Sequence, residues 1–412
     1  MRVTTLFRKL VGVSGLIVED VSFEDQAMIA KVRPRWRRPR CGECGARAPG
    51  YDRAPRPRRW RHLNLGGWQF VLEYRPRRVN CRICEGIRVE RVPWAEHASW
   101  FTRDFEEMVA YLAQITDKTQ VTKLMGVAWG TVGAIVQRVV ARKLAPDRLE
   151  GLRCIGVDEF SYRKFHRYLT VVVDHDRRRV VWAYKGRDSG TLARFSEDLG
   201  EEGCAELECV TIDLSAGFIK AVQEHAPQAQ IVFDRFHVQR LASDALDEVR
   251  RSQQRELRGT DEERVLRHTR YALLKSPWNL TPMEEGKLAD VQQANERLYR
   301  AYLLKETLAR SLDYLQPWRA ERSLREWLSW ASRSRLKPFI KVARTIREHL
   351  DGILAYVRSR MTNAFVEGIN SRLRMIARRA FGFHSHYSLI AMLFLCCGGI
   401  TLSPPLPRPT KP

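Results

Sequence analysis

CIGVD (154–158), YLTVVVD (168–174) and RVVWAYK (179–185) decide the fold of this 412-residue chain. Each is a run rich in β-branched and aromatic residues bounded by short polar turns, the pattern of an antiparallel strand meander. Further on the sequence predicts a helix over 190–199, a strand CVTID (209–213), a helix over 215–225 and a strand IVFD (231–234). The order is β-β-β-α-β-α-β. In an α/β mixed sheet of that order the later crossovers are right-handed, and functional groups collect at the carboxyl ends of strands.

The strands 154–158, 209–213 and 231–234 each end in an aspartate: Asp158, Asp213 and Asp234. One such residue alone reads as solvated or as a helix cap. From Phe236 to about Arg360 no strand pattern remains; helix formers, mixed charge and Trp278, Trp318, Trp327 and Trp330 predict an all-helical segment. Trp327 and Trp330, three residues apart, read as packing residues. Beyond it NAFVEGINSRLRMIARR (363–379) is amphipathic, with Phe365, Ile369, Leu373 and Ile376 on one face and Glu367, Asn370, Ser371 and Arg374 on another. Carboxylates gathered at a sheet edge repel one another unless a cation lies between them, and oxygen-only ligands select Mg²⁺ or Mn²⁺. A pair of such ions serves in-line phosphoryl transfer, so the predicted substrate is a phosphodiester.

Ahead of this region Cys41-Gly-Glu-Cys44 and Cys81-Arg-Ile-Cys84 form two C-x-x-C pairs, with 36 residues between the inner cysteines. Four thiolates match a closed, structural Zn²⁺ site; the gap is long for the motif and is filled by expected strands at 68–74 and 75–80. Redox pairs or unrelated thiols are the other reading. Next, Phe105, Met108, Val109 and Leu112, then Val121, Leu124 and Met125, then Val132, Ile135, Val136 and Val139 mark three helices, with Gly126 at the second turn. Such a set is either a helix-turn-helix or an ordinary helical bundle. In the first case Trp129, Thr131, Gln137 and Arg138 face DNA.

Lys and Arg number 71 against 48 acids, a net charge of +23, while 44% hydrophobic content is ordinary for a globular chain. A charge excess of that size calls for a polyanion, with nucleic acid first and an acidic membrane surface second. The charge is uneven: RPRWRRPRCGECGARAPGYDRAPRPRRWR (33–61) sets arginines beside Trp36 and Trp60, a mixture suited to phosphate contact and stacking. No secretory signal is read in 1–31, and the apolar stretch within 387–407 is broken by Gly and Pro, so a cytoplasmic chain with a buried helix there is expected.

The strand order, the aspartates in GVDEF and TIDLS and a glutamate after a long helical insertion resemble the ribonuclease H-like core of DDE transposases. With VDEF, FDRFHV and NAFVEGIN, and the order zinc ribbon, helix-turn-helix, core, the whole chain looks like the ISL-three group of bacterial insertion-sequence transposases. The resemblance implies 1–95 as a zinc-ribbon DNA-binding domain, 96–150 as helix-turn-helix, 151–240 with 355–402 as catalytic core, 241–354 as helical insertion and 403–412 as a disordered tail. It implies Asp158, Asp213 and Glu367 as catalytic Mg²⁺ ligands, with Asp234 competing for the second place. Asp234-Arg-Phe-His237 matches a C/D-x-x-H motif of related enzymes, which leaves Asp234 and His237 to support the metal ligands or position DNA. Arg372, Arg374, Arg378 and Arg379 are expected on flanking phosphates. The implied partners are terminal inverted repeats, target DNA and further copies of the chain. A zinc-containing regulator derived from an inactive transposase is the alternative; His386-Tyr387 matches a tyrosine recombinase only superficially.

Overall fold

The computed structural model describes residues 2–163, 167–361, 364–379 and 385–404. The described residues of Met1–Leu144 and Tyr387–Pro412 form one compact unit, and those of Ala145–His386 form another.

The first unit begins with α1 (Val3–Val11), β1 (Leu16–Glu24) and β2 (Ala27–Pro34), followed by β3 (Gly50–Arg53), β4 (Arg58–Arg61), β5 (Gln69–Tyr74), β6 (Arg77–Cys81) and β7 (Gly86–Val89). Two sheets result, one ordered β1-β2-β5-β4 and one ordered β3-β6-β7. The long gap between the C-x-x-C pairs is thereby explained. The expected strand at 68–74 does form, but β5 leaves the ribbon and pairs in parallel with β2, because alternate side chains Phe70, Leu72 and Tyr74 are buried with Trp60, Trp94 and Met28 in one apolar cluster. Of the two expected strands, β6 stays in the cysteine ribbon, between β3 and β7.

α2 (Arg103–Ile115), α3 (Lys118–Met125) and α4 (Trp129–Lys143) follow, as the apolar spacing predicts. Thr102 and Asp117 cap the first two, each accepting a backbone N–H of its own first turn. Gly126 ends α3 at φ 58°, the left-handed conformation that glycine adopts without cost, and α4 leaves at 98° to α3.

The second unit contains β8 (Cys154–Arg163), β9 (Arg167–Asp174), β10 (Arg179–Lys185), α5 (Ser189–Glu206), β11 (Cys209–Ile212), α6 (Ala216–His225) and β12 (Gln230–Phe233). The sheet order is β10-β9-β8-β11-β12, with the first three strands antiparallel and β11 and β12 parallel to β8. Helices α7 (Arg235–Glu256), α8 (Asp261–Leu266), α9 (Arg270–Leu274), α10 (Pro282–Ala294), α11 (Glu296–Asp313), α12 (Pro317–Arg333), α13 (Lys337–Glu348) and α14 (Leu350–Ser359) make up the expected helical segment, and α15 (Ala364–Arg379) closes the unit. One apolar cluster runs from Val157, Val172 and Ile212 in the sheet through Val238 and Leu246 of α7 to Leu304, Leu308 and Trp327. The helical segment therefore shares a core with the sheet. Trp327 is buried and donates Nε1–H to the Leu304 carbonyl at 2.8 Å, whereas Trp278 and Trp318 are exposed.

The last helix, α16 (His386–Cys397), was expected with the catalytic core but from Tyr387 groups with the first unit. There Gln114 Nε2 donates to the Leu395 carbonyl at 2.6 Å, and Leu389, Leu393 and Leu395 are buried. Among the described residues no single helix is long and apolar enough to cross a membrane.

Candidate active site and nucleic-acid interface

Strand β8 runs past the expected stop at Asp158 to Arg163, while its parallel partner β11 ends at Ile212. The β8–β11 register pairs Cys154 with Cys209 and Gly156 with Thr211; carried two residues further, it brings Asp213 level with Asp158. Neighbouring strands lie about 4.8 Å apart, so the two aspartates emerge side by side at the point where the ladder opens. Both are half-buried. Asp158 Oδ1 accepts the Glu159 N–H at 2.7 Å, and Asp213 Oδ1 accepts the Ser215 N–H at 3.0 Å at the start of α6. Helix α15 packs against β8. It carries position 367, whose side chain lies outside the described residues, as does that of Arg379.

Asp234 stands level with Asp213, since Ile212 pairs with Phe233, but one strand further from Asp158. It is 3% exposed, and Oδ1 accepts the Phe236 N–H at 3.4 Å as the N-cap of α7. A carboxylate is favoured there by the helix dipole. The half-buried His237 follows in the first turn of α7, edge-on to Phe236, and Arg235 forms a 2.5 Å salt bridge to Asp313.

Glu159 has a larger part in this electrostatic environment than strand alternation suggests. Burial, then the negative charges of Asp213 and Asp158 against the opposing Arg187, pushes its carboxyl up to about 7. On strand alternation alone Glu159 faces the side of the sheet opposite Asp158. On α15, Ile369, Leu373 and Ile376 are buried as the amphipathic pattern predicts, while Arg372, Arg374 and Arg378 are exposed.

The four cysteines converge. Their sulfurs lie within 4.8 Å of one another, with Cys44 to Cys81 at 3.5 Å and Cys41 to Cys84 at 3.9 Å. A tetrahedral Zn²⁺ with bonds of about 2.3 Å needs sulfur pairs roughly 3.8 Å apart, so the donor set fits. Backbone N–H groups of Cys84 and Ile83 aim at the Cys81 sulfur, and the first of these chiefly draws its thiol down to about 7. Crowding against Cys44, then burial, pushes the Cys84 thiol up to about 12. A divalent cation relieves that conflict by taking all four as thiolates. Gly42 admits no side chain here: a Cβ would come within 2.3 Å of His97 Nδ1 and 2.6 Å of the Val89 carbonyl.

On α4, Val132, Ile135, Val136 and Val139 are buried, Gln137 is exposed and Thr131 half-buried. Trp129 is partly exposed, with Lys118 Nζ 3.4 Å above its ring. Arg138 is half-buried and has a partner within the unit. Its Nε donates at 2.8 Å to Glu106, a buried carboxylate that also takes Arg142 at 3.1 Å. Glu106 also accepts the Ser99 hydroxyl at 2.6 Å, so the half-buried Arg138 guanidinium is one of three groups that hold this carboxylate between α2 and α4. No periodicity signals the pair, because Glu106 lies between Phe105 and Val109 on an otherwise polar turn. Sequence reasoning also missed Arg61, whose Nη1 donates to the Gly126 carbonyl at 2.7 Å.

Three family models match in tandem. A zinc finger of the transposases of IS204, IS1001, IS1096 and IS1165 matches residues 37–84, the helix-turn-helix domain of transposase family ISL3 matches 90–140, and an ISL3 transposase model matches 155–393. The chain is 40% identical over 443 aligned residues to the transposase for insertion sequence element IS1557 of Mycobacterium tuberculosis, covering 100% of this chain and 98% of the relative. It is 30% identical over 383 residues to the transposase for IS1001 of Bordetella parapertussis, covering 92% and 94%.

Proposed function

We infer the reaction from one premise: this chain belongs to the ISL3 family of transposases. We propose that it binds the terminal inverted repeats of its own insertion sequence, cleaves the DNA ends to free 3′-hydroxyls and joins them to target DNA. The observation that carries this reading is the side-by-side emergence of Asp158 and Asp213 from neighbouring parallel strands, with the helix that bears Glu367 packed against the first of them.

In this reading Asp158, Asp213 and Glu367 hold Mg²⁺, which when bound activates the attacking oxygen and stabilises the leaving 3′-oxygen. The chain's own residues orient the reactants. The main-chain N–H groups of Glu159 and Ser215 each hold one oxygen of Asp158 and Asp213 and so fix the two carboxylates in place. Asp234, as a cap, anchors the first turn of α7 and with it His237, which positions the DNA. Arg372, Arg374, Arg378 and Arg379 take flanking phosphates on one side of α15. The four-cysteine site holds structural Zn²⁺, and Thr131 and Gln137 of α4 contact the repeat. Two ends must be joined, so at least two copies of the chain assemble on DNA in the cytoplasm.

The test is end cleavage and strand transfer on a labelled duplex carrying the element's terminus, with Mg²⁺, Mn²⁺ or EDTA. Asp158→Asn, Asp213→Asn and Glu367→Gln should each lose at least about 10²-fold in rate with terminus binding retained. Terminus binding by the wild-type chain without cleavage in any metal would sink the reading and leave a DNA-binding regulator.

A further inference from the structure

A cleft of about 320 Å³ opens in the first unit between the N-terminal sheet and the cysteine ribbon. Its walls come from segments far apart in sequence: Arg33 ends β2, Arg37 follows it, Arg53 ends β3, and Arg75 and Arg77 lie at the β5–β6 turn. The two carboxylates in its wall are already taken, Glu19 by Arg33 at 2.7 Å and Glu73 by Arg59 at 2.8 Å. Arg77 and Lys31 are likewise spoken for, the first by the buried Glu90 at 2.6 Å and the second by Asp20 at 3.6 Å. Arg37, Arg53 and Arg75 remain, all exposed, and none of the three forms a salt bridge with a described residue.

The cleft is built rather than incidental. Arg77 Nη1 donates to the Arg37 carbonyl at 2.7 Å, and Arg75 Nε donates to the Ala54 carbonyl beside Arg53 at 2.7 Å. Tyr74 and Arg77 both bond the buried Glu90, which ties the cysteine ribbon to the N-terminal sheet across the cleft floor. Trp36 lines the same cleft beside Arg37. A folded chain that gathers three like charges around one concavity is stabilised by an anion.

We propose that this cleft is a second DNA contact of the chain, in which Arg37, Arg53 and Arg75 take consecutive backbone phosphates of duplex DNA without reading bases. Guanidinium groups suit phosphate oxygens through paired N–H donors, and contacts to phosphate set register without carrying sequence information. The site deepens the transposase reading, on which it rests, by separating a backbone clamp in the ribbon region from base contacts on α4.

The test measures affinity against salt for the full chain on two 60-base-pair duplexes, one carrying the element's terminus and one of random sequence. The variant Arg37→Gln/Arg53→Gln/Arg75→Gln should bind both duplexes roughly 10- to 100-fold more weakly at 0.1 M salt, with the log–log slope shallower by about 2 to 3. The ratio between the duplexes should stay that of the wild type. Replacing the same three residues by Lys should restore most of the slope, and Arg2→Gln/Arg8→Gln/Lys9→Gln, which removes equal charge from α1, should leave it within about 1 of wild type. Zinc content and thermal melting of each variant check that the unit folds. An unchanged slope in the cleft variant, an equal loss in the α1 variant, or a loss confined to the terminus duplex would overturn the proposal. Wild-type chain that binds both duplexes alike would refute terminus recognition while the random duplex still tests the cleft.

Discussion

Arg61 in strand β4 donates Nη1–H to the carbonyl of Gly126 at 2.7 Å, so the four-stranded N-terminal sheet holds the turn of the helix-turn-helix directly. The same guanidinium lies 5.2 Å from the centre of the Phe105 ring, and burial holds its pKa below the usual arginine range. Gly126 is at φ 58°, and a Cβ there would sit 3.2 Å from Arg61 Nη2. Gly126→Ala should therefore cost about 1–2 kcal/mol from the left-handed backbone alone. Differential scanning calorimetry of the full chain should show a transition lowered by several degrees, and Gly126→Asn should lose less. Equal melting for Ala and wild type would contradict the geometry.

His62 joins the same two parts from inside. Its Nδ1 lies 2.8 Å from the Thr102 hydroxyl, which caps α2 by accepting the Phe105 N–H at 3.3 Å. Burial pulls the imidazole down to about 4, so the fold holds it neutral. The unfolded chain therefore binds a proton below about 6.5 that the folded chain refuses until about 4. Stability from this group is complete above pH 6.5 and is lost as pH falls toward 4, by at most about 3 kcal/mol. Melting temperature followed from pH 7.5 to 4.5 should fall, and His62→Gln should flatten that dependence.

What could be read in the sequence was whatever one element carries by itself. The meander, both crossovers and the three helices before them follow from period and capping residues, and Asp213 is legible as an acid after an apolar run where β11 ends, whereas β8 keeps pairing with β9 past Asp158. Pairings between elements were not. Arg138 looks fully solvent-facing on α4 and is half-buried, paired with the buried Glu106 of α2. Residues 69–74 look like ribbon and belong to another sheet, because the apolar side chains of β5 find their partners in β2 and Trp94. The hydrophobic run near the carboxyl end was read correctly as buried, while its packing with α2 depends on contacts nearly 300 residues apart in sequence, such as Gln114 with Leu395.

The four-cysteine cluster makes a stoichiometric prediction. Purified chain should carry one Zn²⁺, and Cys41→Ser with Cys44→Ser should lose it, since two thiolates cannot close a tetrahedral site. Because β3, β6 and β7 bury little besides Cys41, Cys81, Ala48 and Val79, metal removal should release that ribbon to proteolysis. Retained zinc in the double variant by plasma emission spectroscopy would reject these ligands.

The level placement of Asp213 and Asp234 separates two roles that the sequence left in competition. Asp213 is half-buried on the strand beside Asp158, whereas Asp234 is 3% exposed and caps α7 one strand further out. Asp213→Asn keeps the Ser215 contact but removes charge from the proposed cation site, so cleavage should fall by at least about 10²-fold at wild-type stability. Asp234→Asn keeps a good cap and should retain most activity, while Asp234→Ala loses the cap and about 1 kcal/mol of stability. Mn²⁺-dependent cleavage and thermal melting on the same preparations resolve the two effects. If Asp234→Asn abolished cleavage while Asp213→Asn spared it, the second metal ligand would be Asp234, and the N-cap geometry would be incidental to catalysis.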